Sequence, residues 1–131
     1  MLQDPASART LTGHTAEFLR IKGLAERGVA NAQHSLGFMY VNGQGVPQDD
    51  AKAVYWYGQA ADQGHALAQY NLGGMYENGR GVVRDTVRYY MWMLLAAEGG
   101  HETASSTKSI VARRLSPTEI GSALDLTRQW Q

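Results

Sequence analysis

Two glycine-punctuated segments, Gly43-Gln44-Gly45-Val46 and Gly79-Arg80-Gly81-Val82, are where residue type and spacing first suggest chemistry. Alternating glycines can turn backbone N–H groups toward a phosphate, but a phosphate loop follows a strand and opens a helix. Both segments here follow a helical pattern, so they read as turns whose glycines admit positive φ. Asp49 and Asp85 could act as general acids or bases. Standing just ahead of a second helical run, they read instead as N-caps that accept backbone N–H bonds and meet the positive end of a helix dipole. The histidines are His14, His34, His65 and His101, with no His-x-x-x-His spacing and no cysteine to complete a metal set. His65 and His101 follow matched glycines, which marks a structural habit. Ser35, Ser105, Ser106 and Ser109 lie in no nucleophile-elbow pattern. No catalytic residue, cofactor or metal site is expected.

Composition narrows the classes further. A length of 131 residues allows one domain with a real core. Twelve Lys and Arg balance twelve Asp and Glu, without blocks of one sign. That balance leaves no footprint for a nucleic-acid backbone or an anionic bilayer. Without cysteine there is no disulfide framework and no thiol nucleophile, and the redox compartment stays open. The opening Met1–Arg20 has no apolar run of signal-peptide length, and no stretch approaches membrane-spanning length. Localisation is thus unassigned: a cytoplasmic protein and the processed form of an exported one both fit.

The elements that must position these residues repeat. Residues 31–63 and 67–99 align at an offset of 36, with identities at Ala32/Ala68, Gln33/Gln69, Leu36/Leu72, Gly37/Gly73, Met39/Met75, Tyr40/Tyr76, Asn42/Asn78, Gly43/Gly79, Gly45/Gly81, Val46/Val82, Asp49/Asp85, Trp56/Trp92, Ala60/Ala96 and Ala61/Ala97. Composition alone would give roughly two or three. Each unit predicts two helices, Ala30–Val41 with Asp50–Gln63 and Ala66–Glu77 with Thr86–Glu98, which short loops force antiparallel. Residues 1–12 read as a loose lead-in, residues 13–28 as a half unit, 29–64 and 65–100 as full units, and 101–131 as capping helices. After Gly100 the pattern thins, keeping Ala104, Val111 and Leu115 in apolar register. Ser116-Pro117-Thr118-Glu119 then predicts a capping box opening a last helix, with Ile120, Ala123, Leu124 and Thr127 on one side. Gly37 and Gly73 sit mid-helix at a cost of about 1 kcal/mol each relative to alanine, which implies close helix approach.

The series Ala32…Leu36-Gly37…Tyr40…Gly43-Gln44-Gly45-Val46…Asp49…Ala53…Trp56…Ala60-Ala61…Gly64, and its copy from Ala68 to Gly100, closely resembles Sel1-like repeats, cousins of the tetratricopeptide repeat. The resemblance covers roughly residues 14–115. It implies an all-α fold: a right-handed α/α superhelix, or solenoid, of about seven helices. Most members of that family are adaptors or scaffolds in protein complexes, often in bacterial signalling, secretion or envelope processes.

The resemblance also places one side of each first helix toward a concave groove. Those positions are Asn31, His34, Phe38 and Val41, then Leu67, Tyr70, Gly74 and Glu77, then Thr103, Ser106, Ile110 and Arg113. The packing positions repeat whereas these vary, as a surface matched to an asymmetric partner would. The expected function is a non-catalytic adaptor that holds a peptide segment or partner helix in the groove, with Phe38 and Tyr70 as anchors. The expected partner is a protein or peptide, with no nucleic acid and no direct membrane insertion, and the chain itself a monomer or weakly self-associating. Two alternatives remain: a small hydrolase or β-lactam-binding protein of the same family, and a self-associating structural unit.

Overall fold

The computed structural model describes residues 15–131; the lead-in at residues 1–12 and His14 lie outside them. Seven helices follow in order: α1 (Ala16–Glu26), α2 (Ala30–Asn42), α3 (Asp50–Asp62), α4 (Ala66–Asn78), α5 (Thr86–Glu98), α6 (Glu102–Ala112) and α7 (Pro117–Trp130). There is no strand among the described residues. From α1 to α6 each helix packs on the next in sequence. Such a stack is a solenoid, in which a unit rests mainly on its neighbours.

Local chemistry explains most helix starts. Thr15 Oγ1 accepts from the Phe18 N–H at 3.0 Å. Asp49 and Asp85 accept from the Lys52 and Arg88 N–H groups at 3.1 and 3.0 Å, so the carboxylates are N-caps. Ser116 and Glu119 close a reciprocal capping box on α7 with Pro117 beside it. The glycine loops turn as expected, with Gly45 and Gly81 both at φ 74. They also do something the sequence does not announce. A Cβ on Gly45 would stand 2.7 Å from Thr15 Oγ1, and one on Gly81 would run into the Asp50 carbonyl. Each loop therefore lies against the start of the preceding unit's second helix, and the Thr15 N–H donates to the Gly45 carbonyl at 3.1 Å.

Neighbouring units are joined by a repeated buried amide. Gln33 Nε2 donates to the Ala25 carbonyl at the end of α1, and Gln69 Nε2 to the Ala61 carbonyl at the end of α3, both at 3.1 Å. In the first unit Gln63 Nε2 donates in turn to Gln33 Oε1 at 2.7 Å. The matched residue in the second unit is Gly99, which has no side chain. Gln69, 2% exposed, is left with Oε1 buried and unpaired.

Close approach accounts for Gly37 and Gly73. A Cβ on Gly37 would lie 2.6 Å from the Tyr57 ring, and one on Gly73 2.6 Å from the Met93 terminal methyl. Ala25, Ala53, Ala60, Ala61, Ala96 and Ala104 are buried around these crossings. Val111 and Leu115 are buried with Ala123 in a cluster against α5. The expected packing side of α7 needs correction. Ala123 is buried and Ile120 packs beside it, but Leu124 is exposed, and Leu126 and Trp130 make the longer contact. The four-residue α6–α7 connection is shorter than the seven-residue loops inside the full units. α7 packs principally on α5, where Trp130 meets the Trp92 ring edge-on at 6.2 Å and donates to Asp62 at 3.3 Å.

Two stability outcomes follow. Alanine at Gly37 must displace a buried aromatic ring, whereas alanine at Gly73 meets a thioether tip that can rotate. Overpacking of about 1–3 kcal/mol should outweigh the roughly 1 kcal/mol that alanine recovers in helix propensity at Gly37, and much less so at Gly73. Denaturant midpoints should fall further for Gly37→Ala; an unchanged midpoint there would refute the close-packing account. Gly99→Gln should stabilise by about 1 kcal/mol, by pairing Gln69 Oε1 and restricting the unfolded chain. The backbone permits it at φ −78, although Ala66 must yield slightly to a Cβ 3.0 Å away. Gly99→Ala carries the backbone part alone. If it melts as high as Gly99→Gln, the missing hydrogen bond is not what the second unit lacks.

Candidate interaction surface

The histidines at the unit boundaries are built into the joints. His65 stands at the N-cap of α4 with Nδ1 accepting from the Ala68 N–H at 3.1 Å, and His101 does the same for α6 with the Ala104 N–H. With Nδ1 accepting, Nε2 of His65 carries the proton and donates to Asn31 Oδ1 at 2.8 Å. The His34 ring stacks on His65 with centroids 5.1 Å apart and leans on Tyr57, while its Nε2 lies 3.0 Å from Asn71 Nδ2. One unit later Tyr70 stacks on His101 at 4.3 Å. The variable positions 34 and 70 therefore share a task, each laying a ring on the N-cap histidine of the following unit.

Two clefts open along the first helices. One, of about 430 Å³, lies between α2 and α4. Phe38, Val41 and Asn42 line it from α2, and Tyr70, Asn71, Gly74, Glu77 and Asn78 from α4, over Tyr57, Tyr89 and Met93. The other, of about 360 Å³, is lined by Glu17, Ile21, His34, Ser35, Phe38, Met39 and Gln44. Phe38 belongs to both and is 49% exposed. Burial pushes the Tyr57 phenol up to about 12.

Of the residues expected on one surface, Phe38, Val41, Tyr70 and Glu77 meet in the larger cleft, and His34 joins Phe38 in the smaller. Asn31 is engaged by His65, and Leu67 is exposed but lines neither cleft. Ser106, Ile110 and Arg113 are exposed on or just beyond α6 and also line neither. The helix ends at Ala112, and it is Arg114, one residue past the extrapolated position, that reaches Glu77. Tyr70 is not the free anchor expected, since it is half-buried against His101, Met93 and Ala104. Sequence reasoning missed Tyr57, Tyr89 and Met93, which rise from the second helices. Repeated Asn42 and Asn78 were visible as identities. Each donates to the carbonyl four residues back, at 2.9 and 3.0 Å, and lines the cleft. Among the described residues no group of three His, Cys, Asp or Glu could hold a metal ion.

The sequence model of the Sel1 repeat matches residues 30–65 and 66–101. The chain belongs to the Sel1 repeat family. Repeats of this family are generally protein-interaction modules, and the fold is typically a non-catalytic scaffold. The structure is similar to a protective antigen of uropathogenic Escherichia coli with the same repeat fold, at TM-score 0.83 and 30% identity. That match covers 86% of this chain but 24% of the antigen. A Sel1 repeat protein from Oxalobacter formigenes is 40% identical at TM-score 0.67, covering 68% of this chain and 67% of that one. No curated protein matches the chain. Among the described residues no helix is long and apolar enough to cross a membrane.

The histidine joint gives this Sel1 domain a pH response. Burial, then the neighbouring His65, holds His34 below the ordinary 6.5, and burial lowers His65 against the raising effect of its own backbone bond. Both bind protons less readily folded than unfolded, so their stability contribution is complete above pH 6.5 and is lost as pH falls below it. Protonating His65 Nδ1 also removes the α4 cap. Melting temperature should fall between pH 7.5 and 5, and less steeply in His65→Asn, which keeps a cap without the charge. A wild-type profile flat over that range would contradict the assignment.

Proposed function

We propose that this domain is a non-catalytic adaptor that holds a peptide segment or partner helix of another protein in the cleft between α2 and α4. The observation that carries this reading is Phe38. A large aromatic side chain half open to solvent and shared by two adjoining clefts is the kind of group that dominates binding energy when it is covered. Polar groups beside it, Asn71 and the Tyr57 hydroxyl among them, would orient the occupant. Membership of a family whose repeats generally mediate protein contacts agrees with this. A second reading, self-association through the α1 end, rests on a cleft of about 480 Å³ lined by Leu19, Gly23 and Leu24 together with Arg20 and Arg27.

Partners can be captured by photo-crosslinking from position 38 in a lysate of the source organism. For a captured partner, Phe38→Ala should weaken binding by about thirtyfold or more, as loss of a 2 kcal/mol hot spot implies, with melting hardly changed. Lys52→Ala and Gln59→Ala on α3 should stay within about twofold, lying apart from the contact. Tyr70→Ala should weaken binding and also lower stability, because its ring packs on His101. If the α3 changes abolish binding while Phe38→Ala does nothing, the contact is elsewhere. Sedimentation showing concentration-dependent dimers that Leu19→Ala dissolves would favour the second reading.

A further inference from the structure

Among the described residues Glu77 is the only charged one lining the cleft between α2 and α4, and it is held by two arginines. Arg84 Nη2 lies 3.2 Å from its carboxylate, and Arg114 contacts both oxygens at 3.0 and 3.3 Å. The other ion pairs among the described residues, Lys22–Glu26, Arg80–Asp50, Arg88–Asp85 and Arg128–Asp125, join one cation to one anion. Two guanidiniums on one carboxylate leave an excess positive charge around Glu77, a residue of the cleft lining. Both arginines keep much of their side chain in solvent, 61% for Arg84 and 43% for Arg114, whereas Glu77 keeps 21%. The anion is thus the covered partner, and each cation keeps donor edges that its bonds to Glu77 do not use. A guanidinium pairs well with a second carboxylate through those edges.

Resting on the cleft reading above, we propose that the occupant is an acidic segment, in which an apolar side chain covers Phe38 and an adjacent Asp or Glu carboxylate docks on Arg84 and Arg114. Glu77 then has two roles: it orients the arginines, and it competes with the incoming acid for them. Its removal should strengthen binding of an acidic ligand while removal of either arginine weakens it. A purely structural role for the triad would move neither in that pattern.

The test is NMR titration of the isotope-labelled domain with three blocked peptides that share a Leu-Phe-Leu core and end in Asp-Glu, Asn-Gln or Lys-Lys. Amide shifts report contacts of even weak affinity and locate them. The Asp-Glu peptide should bind about threefold or more tightly than the Asn-Gln peptide, as exposed charge pairs allow, with Lys-Lys weakest and the differences shrinking at high salt. Glu77→Gln should widen the preference. Arg84→Gln should narrow it, and so should Arg114→Gln, Arg84→Gln being the cleaner variant because it frees only a loop. If all three peptides shift Phe38, Tyr70 and Gly74 equally, and Phe38→Ala removes binding, the charge proposal falls and the cleft stands. If none perturbs the cleft, both fall. If the cleft signals move with protein concentration alone, a second copy is the occupant and the proposal is overturned.

Discussion

The stack turns on one buried hydrogen bond repeated at the first two of its three junctions, from a glutamine amide to the last turn of the preceding helix. The final carbonyls of a helix have no partners within it, and burying them unpaired would cost on the order of 1–3 kcal/mol each. The Ala25 and Ala61 carbonyls accept from the Gly28 and Gly64 N–H groups within their own caps, and Gln33 and Gln69 add a second bond to each from across the junction. The amide must reach a carbonyl across a helix boundary, so neighbouring units cannot slide or part without breaking the bond of a buried glutamine amide. The alanines around the junction and the glycines at Gly37 and Gly73 permit the approach that this bond requires.

Most of that architecture was legible in the sequence because repetition exposes packing. Helix order, the Asp49 and Asp85 caps, the Ser116 capping box and the glycine turns each leave a local mark, and all appear where those marks stand. The glutamine junction was visible as an identity, Gln33/Gln69, but its purpose was not, since an identity says that a side chain matters and not what it touches. Trp130 was lost for the opposite reason. It belongs to no repeat, and its contacts with Trp92 and Asp62 join positions far apart in the chain.

The surface was less legible, and the reason is physical. Variation between matched positions was read as recognition, yet His34 and Tyr70 differ while both stack on the following unit's histidine. A flat ring of either kind satisfies the stack, so the position varies without being free. Phe38 differs from them because its counterpart, Gly74, has no side chain at all. The absence at Gly74 helps open the cleft into which Phe38 faces, so the asymmetry between units creates the concavity. A perfectly regular repeat would have filled it.

The same irregularity shapes the two ends of the junction series. At the first junction Gln33 is paired at both ends of its amide; at the second Gln69 has one end orphaned; at the third the glutamine is replaced by Ser105. In a one-dimensional stack, stability is close to a sum of neighbour terms, and this order would leave the last unit weakly held. α7 offsets that weakness by a contact of another kind. It packs on α5, and Trp130 reaches back to Asp62 on α3. That bond spans 68 residues in a chain whose other helix contacts are mostly between sequence neighbours. It ties the end of the stack to an earlier unit, so α6 cannot peel away independently while α7 is docked. The Arg114–Glu77 pair lies at the same end, and its geometry depends on α6 being held in place.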